Sequence, residues 1–226
     1  MNKMRVVAIS RNLMAKNDAI AQGLRERFAA SGTLVVNVLS SPGSGKTTLL
    51  ERTLERFGPR YRAGVLVGDQ ATDNDAQRLR RPGVSVVQIT TGAECRLDAD
   101  MVAAALERWG DEPLDVLFIE NVGNLICPAE YDLGEDLRVV LLSVTEGEDK
   151  PLKYPLAYNT SHVAIVTKAD LAAAAGFDRD MALANVARVN PNASILEVSA
   201  RTGAGMERWL ALLEERIAAK SLATAG

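Results

Sequence analysis

The sequence predicts an α/β domain built on a doubly wound, mostly parallel sheet with helices on both faces, and three observations carry that prediction. Short β-branched or apolar runs alternate with stretches of helical periodicity along the whole chain. The connections are short, without an internal repeat or a long linker. One apolar run is followed at once by a glycine-rich turn that opens a helix, an arrangement suited to holding phosphate at the carboxyl edge of a sheet.

Taken in order, residues 12–30 place Leu13, Ile20, Leu24 and Phe28 at roughly helical spacing, and Ser31-Gly32 stops the pattern. This predicts an amphipathic N-terminal helix, so that residues 1–32 pack on a single compact domain formed by 33–226. Residues 33–39 (TLVVNVL) read as a strand buried on both faces. After the glycine-rich turn, 47–57 reads as a helix, and 62–67 and 84–89 as strands. Residues 98–109 form a helix; 114–119, 139–145, 162–167 and 195–198 are strands; 178–189 and 205–219 are the last helices. The four alanines at 172–175 favour a helix or a helix edge.

Bulk properties narrow the function. The 226 residues, 47% hydrophobic and 24% charged, have the balance of a globular chain with a full core. A formal net charge of -3 offers no basic field for nucleic acid. The opening segment is too short in its apolar part for a secretory signal, and no apolar run is long enough to span a bilayer, so a cytoplasmic protein without a membrane partner is expected. Two cysteines, Cys95 and Cys127, do not make a disulfide framework and read as buried thiols or metal ligands.

The turn Ser40-Ser41-Pro42-Gly43-Ser44-Gly45-Lys46-Thr47 fits the P-loop pattern at every defined position except the first, where Ser40 stands for glycine. Pro42, Gly43, Ser44 and Gly45 would turn backbone N–H groups toward phosphate, with Thr48 following in the helix. Lys46 would reach the β- and γ-phosphates, and Thr47 would coordinate Mg2+. Two segments just beyond strands would complete the shell. One is the polar loop from Asp69 to Asp75, whose Asp69 is a candidate for Mg2+ coordination and whose Asp69 or Asp75 could orient the attacking water. The other is LFIENVGN, in which Glu120 stands where a Walker B carboxylate would and Gly123 where a γ-phosphate-sensing glycine would.

Nearer the C-terminus, Thr167-Lys168-Ala169-Asp170 is similar to the Asn-Lys-x-Asp guanine motif, with threonine for asparagine. Asp170 can accept hydrogen bonds from guanine N1–H and N2–H together, a donor pair that adenine lacks. Lys168 would lay its stem over the base and support the P-loop, while the threonine lacks one stabilising amide. Ser199-Ala200-Arg201-Thr202-Gly203 resembles the loop whose backbone N–H, here at Ala200, meets guanine O6. These residues predict GTP or GDP as the ligand.

With these motifs in hand, nearly the entire chain resembles the nickel-incorporation GTPases of hydrogenase maturation, kin of the urease accessory GTPase. LMAKNDAIAQGLRERF, VNVLSSPGSGKTTLLERTL, GDQATDNDAQRL, ENVGNLICPAEYDLGE and VSARTGAGMERWL carry the resemblance, in that order. It implies a slow GTPase that dimerises when GTP-bound and delivers nickel, with a small nickel metallochaperone and the hydrogenase large subunit as partners. It also implies a Ni2+ or Zn2+ site at Cys95 and Cys127, where the family pairs the first cysteine with histidine. Here Arg96 follows Cys95, and a protonated guanidinium is not a ligand. Two thiolates from each of two subunits could still form a tetrahedral four-sulfur site. Arg96 keeps two alternatives open: a GTPase metallochaperone for another metalloenzyme, or a nucleotide-gated dimer switch with little metal transfer. His162, the only histidine, reads as structural.

Overall fold

The structure, a computed structural model, describes residues 3–57, 60–70, 73–80, 84–110 and 112–225, with side chains between 13 and 224. Ala71 and Thr72 of the polar loop lie outside the described residues. Seven strands form one sheet: β1 (Leu34–Leu39), β2 (Ala63–Asp69), β3 (Val84–Thr90), β4 (Val116–Glu120), β5 (Leu137–Ser143), β6 (Val163–Thr167) and β7 (Ser194–Val198). Their order is β3-β2-β4-β1-β5-β6-β7, and every paired neighbour is parallel.

Strand alternation sends side chains to two cores. On β1, Leu34, Val36 and Val38 face one side, which is closed by α2 (Lys46–Phe57), α3 (Asn74–Leu79) and α10 (Met206–Ala225). Val35 faces the other side with α1 (Lys3–Ser31) and α4 (Ala99–Trp109); Leu39, also on that side, meets α5 (Cys127–Glu130), α7 (Pro155–Asn159) and α9 (Arg179–Val189). Short helices α6 (Lys150–Lys153) and α8 (Ala172–Ala175) complete the set. Trp209 of α10 is fully buried and its Nε1 donates to Thr53 Oγ1 at 2.9 Å, binding α10 to α2. Truncating a core aromatic of this kind costs about 3–5 kcal/mol.

Most elements lie within a residue or two of their sequence-derived bounds, and the departures have local causes. Strand β5 begins two residues earlier than expected because Arg138, which breaks the apolar pattern, is buried against Glu135. It ends at Ser143, where Glu146 N donates to Ser143 O and closes a turn. Helix α1 begins before residue 12, and α10 runs past 219 through Lys220 to Ala225, residues with no helix breaker among them. The polar loop after β2 gives way to α3, which sequence periodicity over six residues did not reveal.

Because all strands run the same way, the segments following β1, β2, β4, β6 and β7 emerge along one edge. Val38 of β1 stands in register with Glu120 of β4, and Val67 of β2 with the same Glu120. The phosphate turn and the acidic strand end are neighbours by sheet register alone. Among the described residues, no helix is long and apolar enough to cross a membrane.

Candidate functional site

The turn after β1 wraps the amino end of α2. Gly43 and Gly45 hold φ of 75° and 97°, a region that side-chain-bearing residues rarely adopt. Lys46 is buried, and its Nζ donates to Ser40 Oγ at 3.0 Å, so the serine at the first motif position gives the lysine a partner. Burial lowers the Lys46 pKa, opposed by the nearby charges of Glu120, Asp75, Glu146 and Asp69.

Thr47 Oγ1 donates to Glu120 Oε1 at 2.7 Å, while Glu120 Oε2 is buried without a hydrogen-bond partner among the described residues. Burial pushes the Glu120 carboxyl up to about 7, against the pull of Lys46 and the Thr47 hydrogen bond. A hydroxyl, a buried carboxylate with a spare oxygen and Asp69 on the same cavity wall form a hard-oxygen set that fits Mg2+. The cavity, about 590 Å³, is also lined by Pro42, Gly43, Gly45, Thr48, Asp75 and Gly123. A Cβ at Gly123 would stand 3.1 Å from Pro42 Cα, so this glycine allows the strand end to close on the phosphate turn.

The base motif abuts the same turn. Thr167 Oγ1 donates to Ser44 O at 2.7 Å and Lys168 Nζ to Gly43 O at 2.8 Å, tethering consecutive carbonyls. The threonine thus supplies a tether through its hydroxyl in place of the missing amide. Asp170 Oδ1 accepts from Ser199 Oγ at 2.6 Å, and Arg201 Nε lies 3.6 Å from Asp170 Oδ2. A cavity of about 220 Å³ lined by Thr167, Lys168, Asp170, Leu171, Val198 and Ala200 shares Gly45, Thr48 and Lys168 with the wall of the larger one.

Cys95 and Cys127 are half-buried and within hydrogen-bonding reach of each other; the neighbouring thiol and burial raise the Cys127 pKa. Arg96 turns aside, its guanidinium 4.1 Å from the centre of the Tyr131 ring and its Nη1 2.6 Å from Glu94 Oε2. Among the described residues, no three His, Cys, Asp or Glu side chains are placed to hold a metal ion, so one chain brings two thiols and no further ligand. His162 Nδ1 accepts from Arg138 N at 2.9 Å, a structural contact away from the cysteines.

Residues 34–197 match the nucleotide-binding domain described as CobW/HypB/UreG. The chain belongs to the CobW/HypB/UreG family. It is 48% identical over 222 residues to hydrogenase maturation factor HypB of Rhizobium leguminosarum bv. viciae, a match covering 98% of this chain and 74% of that one. It is 49% identical to HypB of Azotobacter vinelandii over 96% of this chain and 71% of the relative. Among solved structures, HypB of Helicobacter pylori in complex with nickel has a TM-score of 0.86 at 40% identity, covering 91% and 97% of the two chains. HypB of Archaeoglobus fulgidus gives 0.84 at 42%, covering 90% and 99%. As a member of this family with a P-loop fold, the chain is a GTPase.

Sequence reasoning missed several residues at the site of this CobW/HypB/UreG domain. Arg78, one turn along α3 from Asp75, lines the phosphate cavity and bonds Thr48 Oγ1 and Glu51 Oε2. Glu146 accepts from Ser44 Oγ at 2.5 Å and Lys150 donates to Ser41 Oγ at 3.0 Å, bracing the turn from the β5–α6 loop. The run TEGEDK was their only sequence signal, a charged cluster at the end of a strand. A cavity of about 630 Å³ between α1, α5 and α7 is larger than the phosphate cavity, but its arginines are already engaged, Arg25 with Asp132 and Arg138 with Glu135. Size alone does not mark the chemistry here.

Proposed function

We propose that the chain hydrolyses GTP with Mg2+ and that its nucleotide state gates homodimerisation and nickel delivery during maturation of nickel–iron hydrogenase. The observation that carries this reading is that the two cavities share Gly45, Thr48 and Lys168 in their walls. A base at Asp170 and phosphates at Lys46 would lie on one continuous surface.

In this reading Pro42, Gly43, Ser44, Gly45 and Thr48 surround the phosphates, and Lys46 offsets charge that develops on them. Thr47, Glu120 and Asp69 would hold Mg2+, which neutralises phosphate charge when bound. Gly123 brings the end of β4 against the terminal phosphate. Asp69 or Asp75 orients the attacking water. Asp170, kept in place by Ser199, accepts from guanine N1–H and N2–H, and the Ala200 N–H donates to O6.

The nickel is cargo. Relatives carry the name hydrogenase maturation factor, and one solved relative is in complex with nickel, which supports nickel as the metal here. Cys95 and Cys127 bring two thiolates per chain, so a four-sulfur site that also suits Zn2+ requires a second copy. A small nickel metallochaperone would hand metal to the dimer, and the hydrogenase large subunit would receive it. The engagement of Arg96 with Tyr131 and Glu94 favours a second reading, a nucleotide-gated dimer switch that transfers little metal.

Equilibrium titration of the reduced protein with Ni2+ and Zn2+, with and without a non-hydrolysable GTP analogue, separates the two when metal stoichiometry and oligomeric state are read together. One metal per two chains, with dimers only when the analogue is bound, is expected. Dimers without saturable metal would leave the switch and remove the delivery role.

A further inference from the structure

The segment following Glu120 does more than close on phosphate. At the end of β4, consecutive side chains point to opposite sides of the sheet. Glu120 faces Thr47, and Asn121 turns its fully buried amide away from the nucleotide. Its Oδ1 accepts from Leu97 N at 3.2 Å, two residues past Cys95. Its Nδ2 donates to Asn37 Oδ1 at 3.3 Å, and Asn37 Nδ2 donates to Glu135 Oε1 at 3.2 Å. Glu135 in turn holds Arg138, which donates to Ala129 O at 3.1 Å and Tyr131 O at 2.8 Å, just beyond Cys127.

Asn124 makes the shorter connection. Its Nδ2 donates to Cys95 O at 3.3 Å, its Oδ1 accepts from Ile126 N at 2.9 Å, and its side chain meets the Cys127 thiol. Its backbone pairs with Ser40, the first residue of the phosphate turn. Residues 95 and 97 are therefore both gripped by the segment that carries Glu120 and Gly123, and the chain entering Cys127 is gripped by the same asparagine. A separate clamp comes from α1, where Asn17 Nδ2 donates to Asp132 O and Asn17 Oδ1 accepts from Ala99 N, both at 2.9 Å.

We propose that Asn121 and Asn124 are positioning residues that set the spacing of the Cys95 and Cys127 thiols and pass movement of residues 120–123 to them. This rests on the reading that nucleotide state governs metal handling. It assigns the transmission to two amides rather than to the nucleotide ligands themselves, and it needs no movement of the sheet. Amides bonded through both oxygen and nitrogen, Asn121 buried and Asn124 half-buried, suit this role, because a rotation of either one breaks a hydrogen bond and has a discrete energetic cost.

The test uses phenylarsine oxide, whose trivalent arsenic binds two closely spaced thiols together, as a gauge of the Cys95–Cys127 pair. Its affinity for the full chain is measured with Mg2+ and either GDP or a non-hydrolysable GTP analogue. The wild type should differ between the two nucleotides by about fivefold or more. Asn124→Asp, which keeps the acceptor for Ile126 but loses the donor to Cys95 O, should abolish the difference, as should Asn121→Ala. Folding is checked by the cooperative urea transition, so if one variant fails to fold the other still decides. Asn17→Ala should weaken arsenical binding equally in both nucleotide states. A wild-type difference that persists in Asn124→Asp and Asn121→Ala overturns the proposal and leaves nucleotide gating intact. No difference in the wild type overturns both.

Discussion

Glu120→Gln offers the sharpest test of the site's electrostatics. In the nucleotide-free protein the Glu120 carboxyl is pushed from 4.5 to about 7, chiefly by burial. Below about pH 4.5 the folded and unfolded chains both hold its proton. Between about 4.5 and 7 the folded chain keeps a proton that the unfolded chain has released, so stability falls as pH rises. Stabilisation is complete below the unfolded value and lost on passing the folded one. At ~1.4 kcal/mol per pH unit, the loss is about 3 kcal/mol by pH 8. Glutamine preserves the shape and an acceptor for Thr47 without ever ionising. Urea unfolding of the nucleotide-free wild type and variant, from about pH 4 to about pH 8.5, should therefore diverge, with Glu120→Gln more stable by up to about 3 kcal/mol at the alkaline end. Comparing the two chains cancels the contribution of His162, whose pKa burial lowers in both. With Mg2+ and nucleotide the order should reverse, since only an ionised carboxylate serves the cation. Parallel pH curves for the two proteins would refute the reasoning, because they would mean that Glu120 is not neutral in the empty site.

Two further substitutions probe the base and the γ-phosphate side. Asp170→Asn replaces a double acceptor with an amide that carries a donor. GTP affinity should fall by about 1.5–3 kcal/mol, while xanthosine triphosphate, with a carbonyl where guanine has its amino group, should compete better than GTP; wild-type preference for ATP over GTP would sink the guanine assignment. Gly123→Ala places a methyl 3.1 Å from Pro42 Cα and Cγ, forcing the phosphate turn to yield. Turnover measured under saturating GTP should drop about tenfold with GDP affinity little changed, and an unaltered kcat would remove Gly123 from the terminal-phosphate side.

Much of this was legible in the sequence because it is local. The phosphate turn is one contiguous run between a strand and a helix, and the ends of β1, β4 and β6 follow from apolar runs stopped by polar residues. What was not legible depends on contacts between distant segments. Nothing in the run TEGEDK says that Glu146 meets Ser44 or that Lys150 meets Ser41, more than a hundred positions away. Asn37 looks like a polar fault in a buried strand until Asn121 and Glu135 are seen on either side of it. Arg138 misplaced the start of β5 for the same reason, since a buried cation reads as solvent-facing until its partners are known. Asp75 reads in the sequence as one of several acids in a polar loop, whereas α3 sets it one helical turn from Arg78.

The double tether from Thr167 and Lys168 to the carbonyls of Ser44 and Gly43 has a consequence for how such a chain can diverge. Two of the four residues in the base-recognition motif are occupied in splinting the phosphate turn, and Ala169 contributes no functional group. In the proposed reading, base preference within the motif would therefore rest on Asp170, which Ser199 holds from outside it. A lineage changing its nucleotide could vary that one carboxylate and keep its grip on phosphate. Changes at Thr167 or Lys168 would loosen every nucleotide alike, so neighbouring letters of the same short word would answer to unrelated physical demands.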